Sequence, residues 1–477
     1  MALKIRFRFW IAVMIFFTTF MNYVMRANLS MSLIAMTNLP PGRQGQCSEN
    51  GYITTAEPTT EPPENETTTL ATETTTEETV FHKFDYSQRE HGQLLAAYGY
   101  GYVIFSPLGG FLSEYFGPWK VIFWSNFVSI ILTFGCVGAA FIHWGALFFV
   151  RFLIGSLGGL VYPALQITIS RWSPPNEKGK FLSCMMGNTL GTAMIFPLVG
   201  GISQALNWAW GFWLTGILVS VYLLGVIFIL SDSPSKSKLI PEEEREYLLS
   251  VIPPPKNKLV APYLKIFGSV AFWGLMFAHI ANLYGLFVMV LSAPKFFKEY
   301  LNQDLKKSGF FSALPQLCRM FSAITLGIVV DAIEAKEWIS VTVLRKSFII
   351  VSHLIPGVAA ICIMFCECSW VIALCLLVLM QTCNGAVVAT TLHNPQDLAP
   401  NYAGTIFGIV SLVGGTTQFI VPAITGELLQ NDPNAGLEKW RWVFIIAGCI
   451  YILGGFLFIC FASGKRQSWN EPKESTA

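Results

Sequence analysis

Apolar runs long enough to cross a bilayer, about 20 residues each, recur from one end of this chain to the other, broken by short polar turns. The pattern predicts twelve spans, near 9–37, 92–116, 119–142, 145–171, 181–206, 210–231, 269–294, 308–332, 347–366, 369–392, 403–428 and 441–463. The first run is too long for a cleaved leader and no small-residue cleavage site follows it, so it reads as a retained helix. Two connections are long. Residues 38–91 are rich in Thr, Glu and Pro and cannot bury enough apolar surface to fold, so a disordered loop is expected there. Residues 232–268 hold basic residues, a Glu run and Pro253-Pro254-Pro255, and they divide six spans from six. The expected fold is an all-α membrane protein. Its N-terminal six-helix bundle covers 1–231, a linker 232–268, a second six-helix bundle 269–463 and a tail 464–477.

Composition narrows the class. Of 477 residues, 53% are hydrophobic and 13% charged, against roughly 25% charged in soluble proteins. A net charge of +2 gives no basic bias toward nucleic acid, and no nucleic-acid-binding motif is present. The lipid bilayer is the expected partner, and nothing in the sequence implies an obligate protein partner. Orientation follows from the Lys and Arg count in alternate loops. The side holding both termini and residues 232–268 has 19 of them, the other side nine, and three lie within spans. Both termini are therefore expected in the cytoplasm, with the 38–91 loop outside or in a lumen. Asn65-Glu66-Thr67 is then a glycosylation sequon on the correct side, which makes Asn65 the expected acceptor. Of eleven cysteines, only Cys47, Cys366 and Cys368 meet an oxidising compartment, and a disulfide among them is allowed without being required.

Two six-span halves suggest a substrate site between bundles at the midplane. Prolines read as lying in spans (Pro107, Pro163, Pro197, Pro294, Pro315, Pro356, Pro395 and Pro422) permit kinks. Competing classes fail on motifs. Gly464-Lys465-Arg466 lacks the Ser or Thr of a phosphate loop, so no ATP coupling is expected within this chain. Six histidines (His82, His91, His143, His279, His353, His393) show no metal spacing, so neither an enzyme nor a metal or cofactor site is expected. A channel would need a filter repeat, and none is recognisable. A receptor or scaffold that has lost transport stays as an alternative.

Several strings resemble the anion:cation symporter family of the major facilitator group, which holds sialin, the vesicular glutamate transporters and sodium-dependent phosphate cotransporters. They are Met21-Asn22-Tyr23-Val24-Met25-Arg26-Ala27-Asn28-Leu29-Ser30, Gly101-Tyr102 with Pro107-Leu108-Gly109-Gly110, Arg151-Phe152-Leu153 with Tyr162-Pro163-Ala164, Arg171-Trp172-Ser173-Pro174-Pro175-Asn176-Glu177, Asp232-Ser233-Pro234, Asp397-Leu398-Ala399-Pro400-Asn401-Tyr402-Ala403-Gly404 and Gln467-Ser468-Trp469-Asn470. The resemblance covers nearly the whole chain apart from the 38–91 loop. It implies alternating-access transport of a small anion, with sodium as a coupling ion that relatives use. It also implies a conformational latch at Gly110 to Gly117, built on Glu114 and weakened because Lys120 is the one basic residue after it, with Asp331 as its counterpart in the second half.

Three arginines lie within spans, where an ionised side chain costs several kcal/mol unless it meets water or a partner. Arg26 shares a helix face with Asn22 and Ser30 and has Tyr23 beside it. In the resembling family the matching arginine binds the substrate carboxylate. Arg151 matches a position common in the facilitator group, with structural support as the expected role. Arg319 stands where the family has a small neutral residue and reads as an added anion contact or a snorkelling side chain. Because Glu114, Asp331, Asp397 and Glu427 fall near span ends, the midplane is left positive and the expected substrate is an anion. A guanidinium fork serves carboxylate and phosphate alike, so the two stay open. Tyr98, Tyr102, Asn282 and Tyr284 are further candidates for the pocket.

Two departures bear on coupling. Where relatives carry a glutamate and a histidine in span four, this chain has Gly158 and Gln166, and Phe287 replaces a tyrosine in span seven. His279 is then the one titratable group expected near a midplane. The sequence predicts voltage-driven or sodium-coupled transport, with proton coupling through His279 as the alternative.

Overall fold

The computed structural model describes residues 6–38, 82–174, 177–252, 261–430 and 437–471. The glycosylation candidate Asn65 and Cys47 lie outside them. Among the described residues, eleven helical stretches are long and apolar enough to cross a membrane: Phe7–Met36 (span 1), Pro118–Ile142 (span 3), Trp144–Trp172 (span 4), Cys184–Ala205 (span 5), Ala209–Ile229 (span 6), Val270–Tyr300 (span 7), Leu305–Ala335 (span 8), Val341–Phe365 (span 9), Trp370–Leu398 (span 10), Ala403–Gln430 (span 11) and Lys439–Phe461 (span 12). Gln88–Phe116 (span 2) is a further helix of 29 residues, less apolar because glycines, tyrosines and a charged first turn interrupt it. Its start is fixed by a capping box in which Ser87 and Glu90 satisfy each other's backbone N–H groups.

Turn chemistry sets the hinge between spans 2 and 3. Gly117 has φ +96°, and a Cβ there would fall on the carboxylate of Asp232, a conformation and a space that suit glycine alone. Pro118 opens the next helix, and Asp232 Oδ1 accepts from Trp119 N at 3.0 Å. The linker helix Glu242–Val251 docks on the same bundle. Glu244 accepts from the backbone of Phe7 (2.6 Å) and Arg8 (3.2 Å), and Arg8 pairs with Glu177 at 2.9 Å.

In the second bundle, the buried Arg345 at the start of span 9 binds Asp397 at 2.7 Å and Glu334 at 2.5 Å. These pairs all sit at the face that carries the termini, which the Lys and Arg count assigns to the cytoplasm.

Cross-bundle contacts concentrate at the opposite, outer face. Span 2 meets span 11 where Tyr100 stacks on Phe419 at 4.6 Å. Span 5 meets span 8 where Lys306 N donates to Gln204 Oε1 at 3.0 Å. Lys295 of span 7 donates to Gln88 of span 2. The sequence pattern ends span seven at 294 and puts Lys295 in an outer loop. Instead the helix widens into π turns on either side, Val288–Ser292 and Phe296–Tyr300. That carries Lys295 into the buried last turns, where Glu299 lies 3.8 Å away.

Cys368 is disulfide-bonded. Cys366, the other described cysteine of the three that the sequence places on the oxidising side, is free.

Candidate functional site

Span 1 delivers Arg26 to the middle of the molecule, 4% exposed, and four aromatic rings surround its guanidinium. Ring centroids lie at 4.3 Å (Phe287), 4.9 Å (Tyr23), 5.4 Å (Tyr98) and 5.6 Å (Tyr102). Tyr23, Tyr98 and Tyr102 belong to the first bundle, while Phe287 reaches over from span 7 of the second. Each such contact is worth about 0.5–2 kcal/mol, which offsets part of the cost of burying the charge. The Nη2 of Arg26 has no hydrogen-bond partner among the described residues. Ion pairs of the described residues lie toward the two faces, at Arg8, Lys295 and Arg345 among others, and none includes Arg26, Arg151 or Arg319.

Arg151 supports the span that carries Arg26. It is 1% exposed and donates to Met25 O at 3.0 Å, Arg26 O at 3.1 Å and Asn28 Oδ1 at 3.2 Å. Its charge is spent on the backbone of the anchor itself. Asn22 accepts from Tyr98 OH at 3.3 Å and donates to Gly158 O at 3.4 Å, so it orients a ring of the cage. The Tyr98 hydroxyl also occupies the space into which a Cβ at Gly158 would project. This explains the missing side chain at 158: the volume a carboxylate would need is filled from span 2. Gln166 is exposed and its amide meets Met185 Sδ at 3.2 Å.

The second bundle contributes Arg319. Its Nε donates to Asn384 Oδ1 at 2.8 Å, and Asn384 in turn donates to Asn282 Oδ1 at 3.0 Å and Ser352 O at 3.2 Å. Tyr23 and Tyr451 lie within electrostatic range of Arg319. Tyr23 therefore stands near both arginines, one from each bundle.

Other candidates scatter. His279 is buried against Phe407 of span 11, ring centroids 5.7 Å apart, with Nδ1 lacking a protein partner. It sits eight residues before Phe287, about 12 Å along the helix axis. Tyr284 is buried in the core between the bundles. Glu114, Lys120 and Asp331 are all exposed at the face of the termini. At that face the acidic partner of the span 2–3 turn is Asp232, and in the second bundle Glu334, not Asp331, joins Asp397 on Arg345.

Sequence reading missed Gln418, Asn384 and Arg345. Gln418 and Asn384 carried a legible signal, a carboxamide inside an apolar run. Arg345 did not stand out, because it lies among loop cations at a span end.

Comparison with known proteins agrees with this architecture. Residues 15–422 match the model of the Major Facilitator Superfamily. Human sialin is 28% identical over 97% of this chain and 90% of its own length. Human vesicular glutamate transporter 2 is 27% identical over 83% of this chain and 68% of its own. The E. coli xylose transporter in its inward-open conformation shares the fold, with a TM-score of 0.65 at 13% identity, covering 96% of each chain. The chain is a multi-pass membrane transporter rather than an enzyme, and it belongs to the Major Facilitator Superfamily, with sialin and vesicular glutamate transporter 2 among the relatives it resembles.

Proposed function

We propose that this protein carries a small organic or inorganic anion, a carboxylate or a phosphate, across its membrane by alternating access, with Arg26 as the anchor and Arg319 as a second positive contact. The observation that carries the reading is a buried guanidinium that is caged by aromatic rings and has no carboxylate partner among the described residues. A buried charge left uncompensated is costly. A bound anion removes that cost, and the guanidinium fork holds a carboxylate or phosphate by two bonds. Likeness to a glutamate transporter supports an anionic cargo. Its membrane is the plasma membrane or a lysosomal or vesicular one, with the termini in the cytoplasm.

Coupling follows from what titrates. Neither Gly158 nor Gln166 can carry a proton, so the driving force is membrane potential or sodium. Moving one elementary charge through 100 mV is worth about 2.3 kcal/mol, nearly fiftyfold in concentration.

The test is uptake of inorganic phosphate and of glutamate by the purified protein in vesicles, with pH, sodium and voltage varied separately. Potential or sodium should drive concentrative uptake. Arg26→Ala should abolish it while the protein stays folded, and Arg26→Lys should restore little because a point charge lacks the fork. Full activity in Arg26→Ala would move the site elsewhere. Absence of any saturable flux in the unmodified protein would favour a receptor or scaffold. Concentrative uptake under a pH gradient alone, lost in His279→Ala, would install His279 as a proton carrier.

A further inference from the structure

On the outer side of Arg26 a small space of about 10 Å³ lies between the bundles, enough for about one water molecule. Arg26, Tyr98 and Arg151 line it from the first bundle and Gln418 from the second. Gln418 is 4% exposed, and its Oε1 has no hydrogen-bond partner among the described residues; nor do Arg26 Nη2 and Arg151 Nε. An acceptor from span 11 thus faces donors from spans 1 and 4 across the outer closure, and beside it the Tyr100–Phe419 stack joins span 2 to span 11. The charged and titratable groups lining this space are the two arginines and Tyr98.

We propose that Gln418 is a switchable contact of the second bundle with the anion site, ligating the cargo when Arg26 is loaded and Arg26 itself when it is empty. A carboxamide is suited to this because it carries an acceptor and a donor on one planar group. In the empty protein Oε1 accepts from Arg26 through one water. With an anion on Arg26, the amide turns and its N–H donates to an anion oxygen. Either way the span 11 side chain is satisfied only with the bundles drawn together at the outer face, so site occupancy and outer closure are read by one residue. This rests on Arg26 being the anion anchor.

Two substitutions test it in the full-length protein. Gln418→Met keeps the length and removes the amide. It should raise the KM for the transported probe, inorganic phosphate or glutamate, by about tenfold, the expected loss of one hydrogen bond to a charged group, with maximal flux little changed. Gln418→Glu places a carboxylate against Arg26. It should suppress uptake and hold the outer face shut, so that a cysteine at Leu95→Cys reacts more slowly with an impermeant maleimide applied to the outer face. In Gln418→Met that reaction should speed up, and a misfolded Gln418→Glu protein would react faster rather than slower. Unchanged KM and unchanged labelling in Gln418→Met, in a protein that Arg26→Ala inactivates, would overturn this proposal alone. Full flux in Arg26→Ala would overturn the anchor on which it rests.

Discussion

Arg26 and Arg345 are both buried cations near the core of a helical bundle, and they are handled in opposite ways. Arg345 is fully neutralised: Asp397 meets it with two oxygens, at 2.7 and 3.1 Å, and Glu334 at 2.5 Å. Arg26 has aromatic faces and an unsatisfied nitrogen. A buried cation that carries its own carboxylates has no use for a ligand, because an incoming anion would have to displace them. A cation held only by ring quadrupoles is stabilised enough to fold and not enough to be satisfied. Arg151 stands between the two, giving three bonds to span 1, so it positions the anchor without competing for the anion. The contrast separates a fastening from a receptor in two bundles built to the same plan.

Several substitutions break or sharpen that contrast, beyond the loss of transport expected of Arg26→Ala. Arg345→Met leaves two carboxylates without their cation and should destabilise the protein by about 3–5 kcal/mol, read as a fall in the thermal unfolding midpoint of purified protein. Arg26→Met should leave that midpoint nearly unmoved. An equal loss in both would erase the distinction between them.

Arg151→Lys keeps the charge but cannot reach three acceptors with one geometry. Uptake should fall roughly tenfold, mainly in maximal flux, as span 1 loses its register; a change confined to KM would make Arg151 a direct ligand. Phe287→Leu removes the closest ring from Arg26 and should change the KM about threefold, the low end of a cation–π contact. Phe287→Tyr should keep the ring and leave the fold untouched. The smallest effect concerns the outer face. Alkylation of the denatured, unreduced protein should modify Cys366 and spare Cys368, since only the latter is disulfide-bonded, and peptide mass mapping reads this directly.

Glu114, Lys120 and Asp331 illustrate how a motif differs from a contact. All three are exposed at the face of the termini while the cross-bundle contacts gather at the outer face. A latch between bundles closes only when they meet at its own end, and here they meet at the other. Span 2 and span 11 instead meet at Tyr100 and Phe419.

By itself the sequence determined the membrane class, the long helices, the six-and-six division and the arginines worth suspecting. These are local properties: about 20 apolar residues span a bilayer whatever surrounds them, and a charge within such a run is conspicuous for its cost. Even here the end of span seven was placed too early, since π turns on both sides of Pro294 carry the helix on through Lys295. Tertiary structure alone decided which charges are compensated. Arg345 meets Asp397 across 52 residues of chain, Arg26 meets the Phe287 ring from the other bundle, and Tyr98 takes the room a side chain at 158 would need. Compensation depends on separations of a few ångströms between residues distant in sequence, because charge interactions in a low-dielectric interior change steeply over that range. Residue order fixes which groups the chain owns, and only packing fixes which of them are left with a bond to offer.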